Sequence, residues 1–143
     1  MAKTQTQREG QTPLFKESKA FSGFSVNDVE QAKKFYGDTL GLDVDDQNGM
    51  LFLNIKGGNR ILIYPKDDHK PASFTILNFP VDDINAAVDG LTTQGIKLER
   101  YDVPGLEPNE KLIYSGEGPT IAWFKDPAGN ILSVLEEPDT GRG

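Results

Sequence analysis

Phe21-Ser-Gly-Phe-Ser-Val-Asn-Asp28 and Ile76-Leu-Asn-Phe-Pro-Val-Asp-Asp83 read as copies of one another. Phe24 matches Phe79, Val26 matches Val81, Asp28 matches Asp83, Val29 matches Ile84 and Ala32 matches Ala87. Each copy runs into a helical pattern that ends at a glycine, Gly41 or Gly95. A repeat at this spacing sets the architecture before any local detail does.

Working outward, each copy carries the same order of elements. Phe21 to Val26 alternates as a strand, Asp28 is placed to cap a helix, and Gln31 follows at the capping-box position. Val29, Ala32, Phe35 and Tyr36 form the apolar stripe of that helix, and Gly41 stands where a left-handed cap belongs. A short strand over 42–45 and strands over 50–56 and 60–66 follow, the last two joined at Gly57-Gly58-Asn59. The second half repeats this plan. It has a strand over 74–81, a helix capped by Asp82 or Asp83 with the stripe Ile84, Ala87, Val88 and Leu91, and a strand over 97–103. A closing hairpin turns at Asp126-Pro-Ala-Gly-Asn130. The expected fold is α+β: two tandem βαβββ modules, about 20–66 and 73–137, forming a curved, barrel-like mixed sheet. Helices lie outside it and a concave cleft lies within. Residues 1–18 read as a flexible arm that docks through Leu14 and Phe15, residues 19–137 as the domain, and 138–143 as a disordered tail. The stretch 104–118 is long and rich in glycine and proline, a candidate lid.

Composition narrows the function. With 143 residues and 36% hydrophobic content the chain can bury a core, and no apolar run reaches membrane-spanning length. A net charge of −7 without a basic stripe argues against nucleic acid as a partner and would suit a cationic ligand. The absence of cysteine and of an apolar leader pattern places the expected protein in the cytoplasm.

The segments Phe24-Ser-Val-Asn-Asp-Val-Glu-Gln-Ala-Lys-Lys-Phe-Tyr-Gly-Asp-Thr-Leu-Gly41 and Trp123-Phe-Lys-Asp-Pro-Ala-Gly-Asn130 resemble the vicinal oxygen chelate superfamily. That superfamily holds glyoxalase I, extradiol dioxygenases, fosfomycin-resistance enzymes and bleomycin-resistance proteins. The resemblance spans about residues 20–137 and implies a concave face carrying a metal with one ligand from each of four strands. It also implies a homodimer. Two ligand positions fall seven residues before the capping aspartates, at Phe21 and Ile76. A third falls seven residues past Asp126, at Ser133, and the remaining one falls near Ile63, among Ile61, Leu62 and Tyr64. None of these is a good donor for a divalent ion, so no metal and no cofactor is expected there. Asp43, Asp45 and Asp46 miss the calcium-loop spacing, and Asp67-Asp68-His69 reads as solvated loop charge.

What remains is an apolar cleft with a few polar handles, the usual composition of a small-molecule pocket. Strand alternation places Phe21, Gly23 and Ser25 with Ile61 and Ile63, Ile76 with Asn78, and Ser133 with Ile131 and Leu135. Tyr64, Phe74, Tyr101, Tyr114 and Trp123 are candidates to stack on a planar ligand, with Trp123 preferred over Phe124 for the cleft face. The expected pocket is therefore Phe21, Ser25, Ile63, Ile76, Asn78, Tyr101, Tyr114, Trp123 and Ser133. His69 is the one weak candidate for acid/base work, although an exposed loop position is the blander expectation. Three functions fit. One is a metal-free protein that sequesters or senses a small apolar or aromatic molecule. Another is a lyase, isomerase or dioxygenase-type enzyme using other residues or a displaced metal. The last is an interaction module with a closed cleft.

Overall fold

Asp28 and Asp83 each end an extended segment and start a helix in the same way. Both have extended backbone dihedrals, and each carboxylate accepts from the amide three residues on, Gln31 at 3.0 Å and Ala86 at 3.1 Å. The cap of the second helix is thus Asp83, reinforced by the Glu136 carboxylate, which accepts from the Ile84 amide at 2.9 Å. Gly41 and Gly95 follow the two helices with φ of 77° and 85°, a conformation that a side chain disfavours.

The computed structural model describes residues 14–138. Most of the expected arm and the tail from 139 onward lie outside the described residues. Within the arm, Leu14 and Phe15 are 83% and 79% exposed, so they do not dock. The chain runs β1 (Gly23–Val26), α1 (Val29–Lys33), β2 (Asp43–Gln47), β3 (Met50–Asn54), β4 (Ile61–Pro65), β5 (Thr75–Pro80) and α2 (Ile84–Thr93). It continues through β6 (Leu106–Pro108), β7 (Tyr114–Gly116), β8 (Thr120–Lys125) and β9 (Ile131–Glu136). The strands form two curved sheets, ordered β1-β4-β3-β2 and β5-β9-β8-β7-β6, with the first strand of each pairing parallel to the last strand of its module.

Three local outcomes depart from the sequence expectation. The first helix is α-helical for one turn and then π-helical over Lys34–Thr39, with the Leu40 amide bonding the Phe35 carbonyl five residues back. The wider turn brings the adjacent Phe35 and Tyr36 both inward, edge to face at 5.1 Å. A second hairpin turns at Asn48-Gly49, both residues with positive φ as the tight primed turn requires, so β2 reaches Gln47. The expected strand over 97–103 shrinks to a single bridge between Leu98 and Phe124. Its place in the ladder is taken by a side chain: the Tyr114 hydroxyl accepts from the Tyr101 amide at 2.6 Å and donates to the Tyr101 carbonyl at 2.7 Å. The candidate lid is consequently tied down, because β6 and β7 inside it pair with each other and β7 pairs with β8.

One apolar core lies under both helices. Val26, Ala32, Tyr36, Leu51, Leu53 and Ile63 supply it from the first module, and Ile84, Val88, Leu91, Ala122, Phe124, Leu132 and Val134 from the second. Each large side chain so buried contributes about 1.5–3 kcal/mol. A polar knot joins the modules across this core. Asp126 is 4% exposed. Its Oδ2 accepts from the Tyr36 hydroxyl at 2.7 Å and from Asn130 Nδ2 at 3.0 Å, while Oδ1 accepts from the amides of Ala128 and Asn130. Asn130 Nδ2 also donates to the Ser25 carbonyl at 3.0 Å. Gly129 completes the turn with φ of 88°, and a Cβ there would stand 3.1 Å from Pro71.

Replacing Tyr36 with Phe leaves a buried carboxylate short of a donor, at an expected cost of about 1.5–3 kcal/mol. Asp126→Ala, which strands three other groups as well, is expected to cost more. Urea unfolding of the two variants checks the order; equal stability of Y36F and the parent would remove Tyr36 from this role.

Candidate functional site

The register of the strands decides which side chains reach the concave face. In the first sheet Phe24 pairs with Ile63, and Leu51 and Leu53 sit opposite Ile63 and Ile61. Phe24 also packs on Tyr36 of the helix, with ring centres 5.9 Å apart. That face is therefore the core, and Ile63, fully buried, belongs to it. The concave face carries Phe21, Gly23 and Ser25 together with Phe52, Leu62 and Tyr64. The expectation that Ile63 joins the pocket is wrong by one residue, and in a strand one residue exchanges the two faces. Ile61 points with the core but still borders the groove at the strand end.

In the second sheet Asn78, Ser133 and Trp123 lie in register across β5, β9 and β8, while Phe79, Val134, Phe124 and Leu132 face α2. Ser133 is fully buried and donates to Asn78 Oδ1 at 2.6 Å. Trp123 donates from Nε1 to the Thr75 hydroxyl at 3.0 Å and meets Tyr114 and Tyr101 edge to face at 5.2 and 5.6 Å. Tyr114 is fully buried, so this aromatic cluster is a packed wall rather than an open platform. Phe74, 67% exposed, takes no part in it. Burial raises the Tyr101 hydroxyl above its ordinary pKa of 10.0, helped by Glu99 and Tyr114, and its oxygen has no hydrogen-bond partner among the described residues. Tyr36 is raised much further, by burial and then by the Asp126 carboxylate that it faces.

A groove of about 510 Å³ opens where the two modules meet. Phe21 and Ser22 form one side, the β3–β4 hairpin with Ile55, Arg60 and Ile61 another, and Ile76, Leu77 and Asn78 the floor. Phe21, Ile76 and Asn78 of the expected pocket thus come together here. Ser133, Trp123, Tyr101 and Tyr114 of the expected pocket do not line it. Asn59 holds the rim by donating to the Ala20 carbonyl at 2.7 Å. Sequence reasoning missed Arg60. Its guanidinium lies 4.2 Å from the centre of the Phe52 ring, which in turn meets Phe21 at 6.1 Å. The signal was present as a lone cation beside a turn, but pairing was needed to bring it to Phe52.

Ser25 and His69 stand apart from the groove. The His69 ring is half-buried rather than exposed, and both nitrogens are engaged. Nε2 lies 3.0 Å from the Ala128 carbonyl, so it carries the proton, and Nδ1, 2.6 Å from Ser25 Oγ, accepts from that hydroxyl.

The internal repeat also locates the ligand position that the sequence left loose. Gly23 is to Phe21 as Asn78 is to Ile76. Gly23 pairs with Leu62 as Asn78 pairs with Ser133. The four positions are thus Phe21, Leu62, Ile76 and Ser133, three hydrocarbons and one hydroxyl. These do not fit a divalent ion. Among the described residues no group of three or more His, Cys, Asp or Glu converges elsewhere to hold one.

The family model described as Glyoxalase/Bleomycin resistance protein/Dioxygenase superfamily matches residues 21–134. The chain belongs to this superfamily. Among solved members, TnmS3, an antibiotic binding protein from Streptomyces sp. CB03234, is 25% identical, covering 82% of this chain and 93% of that one, at a TM-score of 0.64. A glyoxalase/bleomycin resistance protein from the same source is 26% identical over 81% of this chain and 99% of that one, at a TM-score of 0.57. The fosfomycin resistance protein FosX from Mesorhizobium loti shares the fold at 14% identity, covering 86% of this chain and 94% of that one, with a TM-score of 0.58. A search of curated proteins finds no match. Among the described residues of this superfamily member, no helix is long and apolar enough to cross a membrane.

Alkaline titration followed by tyrosinate absorbance should show the Tyr36 and Tyr101 hydroxyls ionising late. A hydroxyl whose pKa is higher folded than unfolded favours the fold below the unfolded value. Stability should therefore decline as pH rises beyond about 10. Four tyrosines titrating together in the folded protein would contradict this.

Proposed function

We propose that this chain is a binding protein that holds a small apolar or aromatic molecule in the groove between its modules, sequestering or sensing it without a metal. One observation carries the reading. At the four places where its superfamily mounts an ion, this chain puts Phe21, Leu62, Ile76 and Ser133, and Phe21 and Ile76 instead line an open groove. The antibiotic-binding neighbour supports the same reading, since it pairs this fold with retention of a small molecule. The concave face remains open along Phe21 and Met50, 50% and 43% exposed, which favours a homodimer whose second copy closes the groove.

Two measurements test this. Chelator-treated protein titrated with nickel, zinc, iron or manganese should show no stoichiometric rise in melting temperature, whereas planar aromatic compounds should raise it in proportion to occupancy. Phe21→Ala should weaken that binding by about tenfold, the effect of losing the half-exposed aromatic surface that a ligand would cover. A stoichiometric ion that stabilises the protein would overturn the proposal. Sedimentation should give twice the 15.7 kDa chain mass.

A second reading, catalysis without a metal, has one observation in its favour. Ser25 Oγ faces an imidazole whose other nitrogen is fixed by a carbonyl, the relation of a hydroxyl to an oriented base. If it is catalytic, Ser25→Ala should abolish turnover of aryl esters; hydrolysis no faster in the parent than in S25A removes this reading.

A further inference from the structure

The chain carries 22 acidic residues against 15 basic ones, yet among the described residues the groove is lined by none of the acids. The charged side chain that it does contain is Arg60. Among the described residues no carboxylate lies within ion-pair distance of that guanidinium. Asp43 shares a neighbouring depression with Arg60, but Lys56 lines that depression too, so the local balance stays positive. Arg60 is held by the face of Phe52 rather than by an acid, which leaves its N–H groups free to meet an incoming acceptor.

The other groove amide points the same way. Asn78 uses its carbonyl oxygen to accept from Ser133, which fixes the orientation of the amide and leaves Nδ2 as the available end. Asn59 spends its Nδ2 on Ala20 at the rim, which leaves its Oδ1 there as the one side-chain amide acceptor. The uncommitted side-chain groups of Arg60 and Asn78 are therefore donors, set among the apolar walls of Phe21, Ile61 and Ile76. Donors in an apolar surround select an acceptor that bears charge, because an ionised oxygen makes the stronger hydrogen bond and a cation would meet the like charge of Arg60.

We propose that the groove selects molecules that join a planar apolar body to a carboxylate, sulfonate or phenolate, with Arg60 as the anion partner and Asn78 Nδ2 as the second donor. This rests on the groove being a small-molecule site. It runs against the sign that the net charge of −7 alone would suggest. The acids that set that charge lie outside the groove.

Calorimetric titration of the full chain with three compounds sharing one ring system tests it: naphthoate, naphthalenemethanol and naphthylmethylammonium. Naphthoate should bind at least about tenfold tighter than the alcohol, and the ammonium compound more weakly than either. Added salt should erode the preference for naphthoate, since Arg60 is exposed. Arg60→Gln should bring naphthoate to within about threefold of the alcohol, and Arg60→Glu should reverse the order of the two ions. Because Arg60 is exposed, both variants should keep the parent melting temperature, and this is measured alongside. If naphthoate binds no tighter than the alcohol, or R60Q keeps the full preference, the charge selection is wrong while the binding site stands. If none of the three binds the parent protein, the small-molecule site itself is refuted, and this inference with it.

Discussion

Asp126 is the point at which the two halves of the molecule are fastened. A carboxylate this deeply buried is costly unless every lone pair is used, and here four donors converge on it. Two of them are the turn's own amides, so the side chain shapes the β8–β9 turn. A third comes from Asn130, which reaches on to the Ser25 carbonyl of β1. The fourth is the Tyr36 hydroxyl, from the π-helical segment of the other module. Apolar packing alone would let two sheets of similar shape slide against each other. Directional bonds to one buried oxygen pair fix how they meet, and with it the groove between the start of β1 and the start of β5.

Much of this was legible in the sequence. The repeat gave the order of elements, the capping aspartates gave the helix starts, and the glycines gave their ends, because each of these follows from local chemistry. The side-chain inventory of the metal positions was readable for the same reason: donor chemistry belongs to residue type. What failed depended on partners. Ile63 was assigned to the wrong face because alternation gives a period but not a phase; the phase came from Phe24 and Leu51 beside it. The strand over 97–103 was lost because a distant phenol, Tyr114, satisfied the backbone of Tyr101. The turn at Asn48-Gly49 is a different kind of miss, a strong local signal that was passed over. Arg60 was invisible as a groove residue until a hairpin laid it over Phe52.

The two modules have diverged in instructive ways. The second keeps a polar link, Asn78 to Ser133, where the first has Gly23 beside Leu62. Gly23 is closely approached: an added Cβ would stand 3.2 Å from Leu62 Cβ. The first module thus has close strand packing where the second has a polar link. The second retains a hydrogen-bonded pair at the edge of the groove.

The residues that line the groove and the residues that fasten the modules are separate sets. Phe21, Arg60, Ile76 and Leu77 take no part in the bonds among Tyr36, Asp126, Asn130, Ser25 and His69. Substitutions in the first set can accumulate without loosening the second, so the lining of the groove is free to drift across generations while the frame is inherited intact.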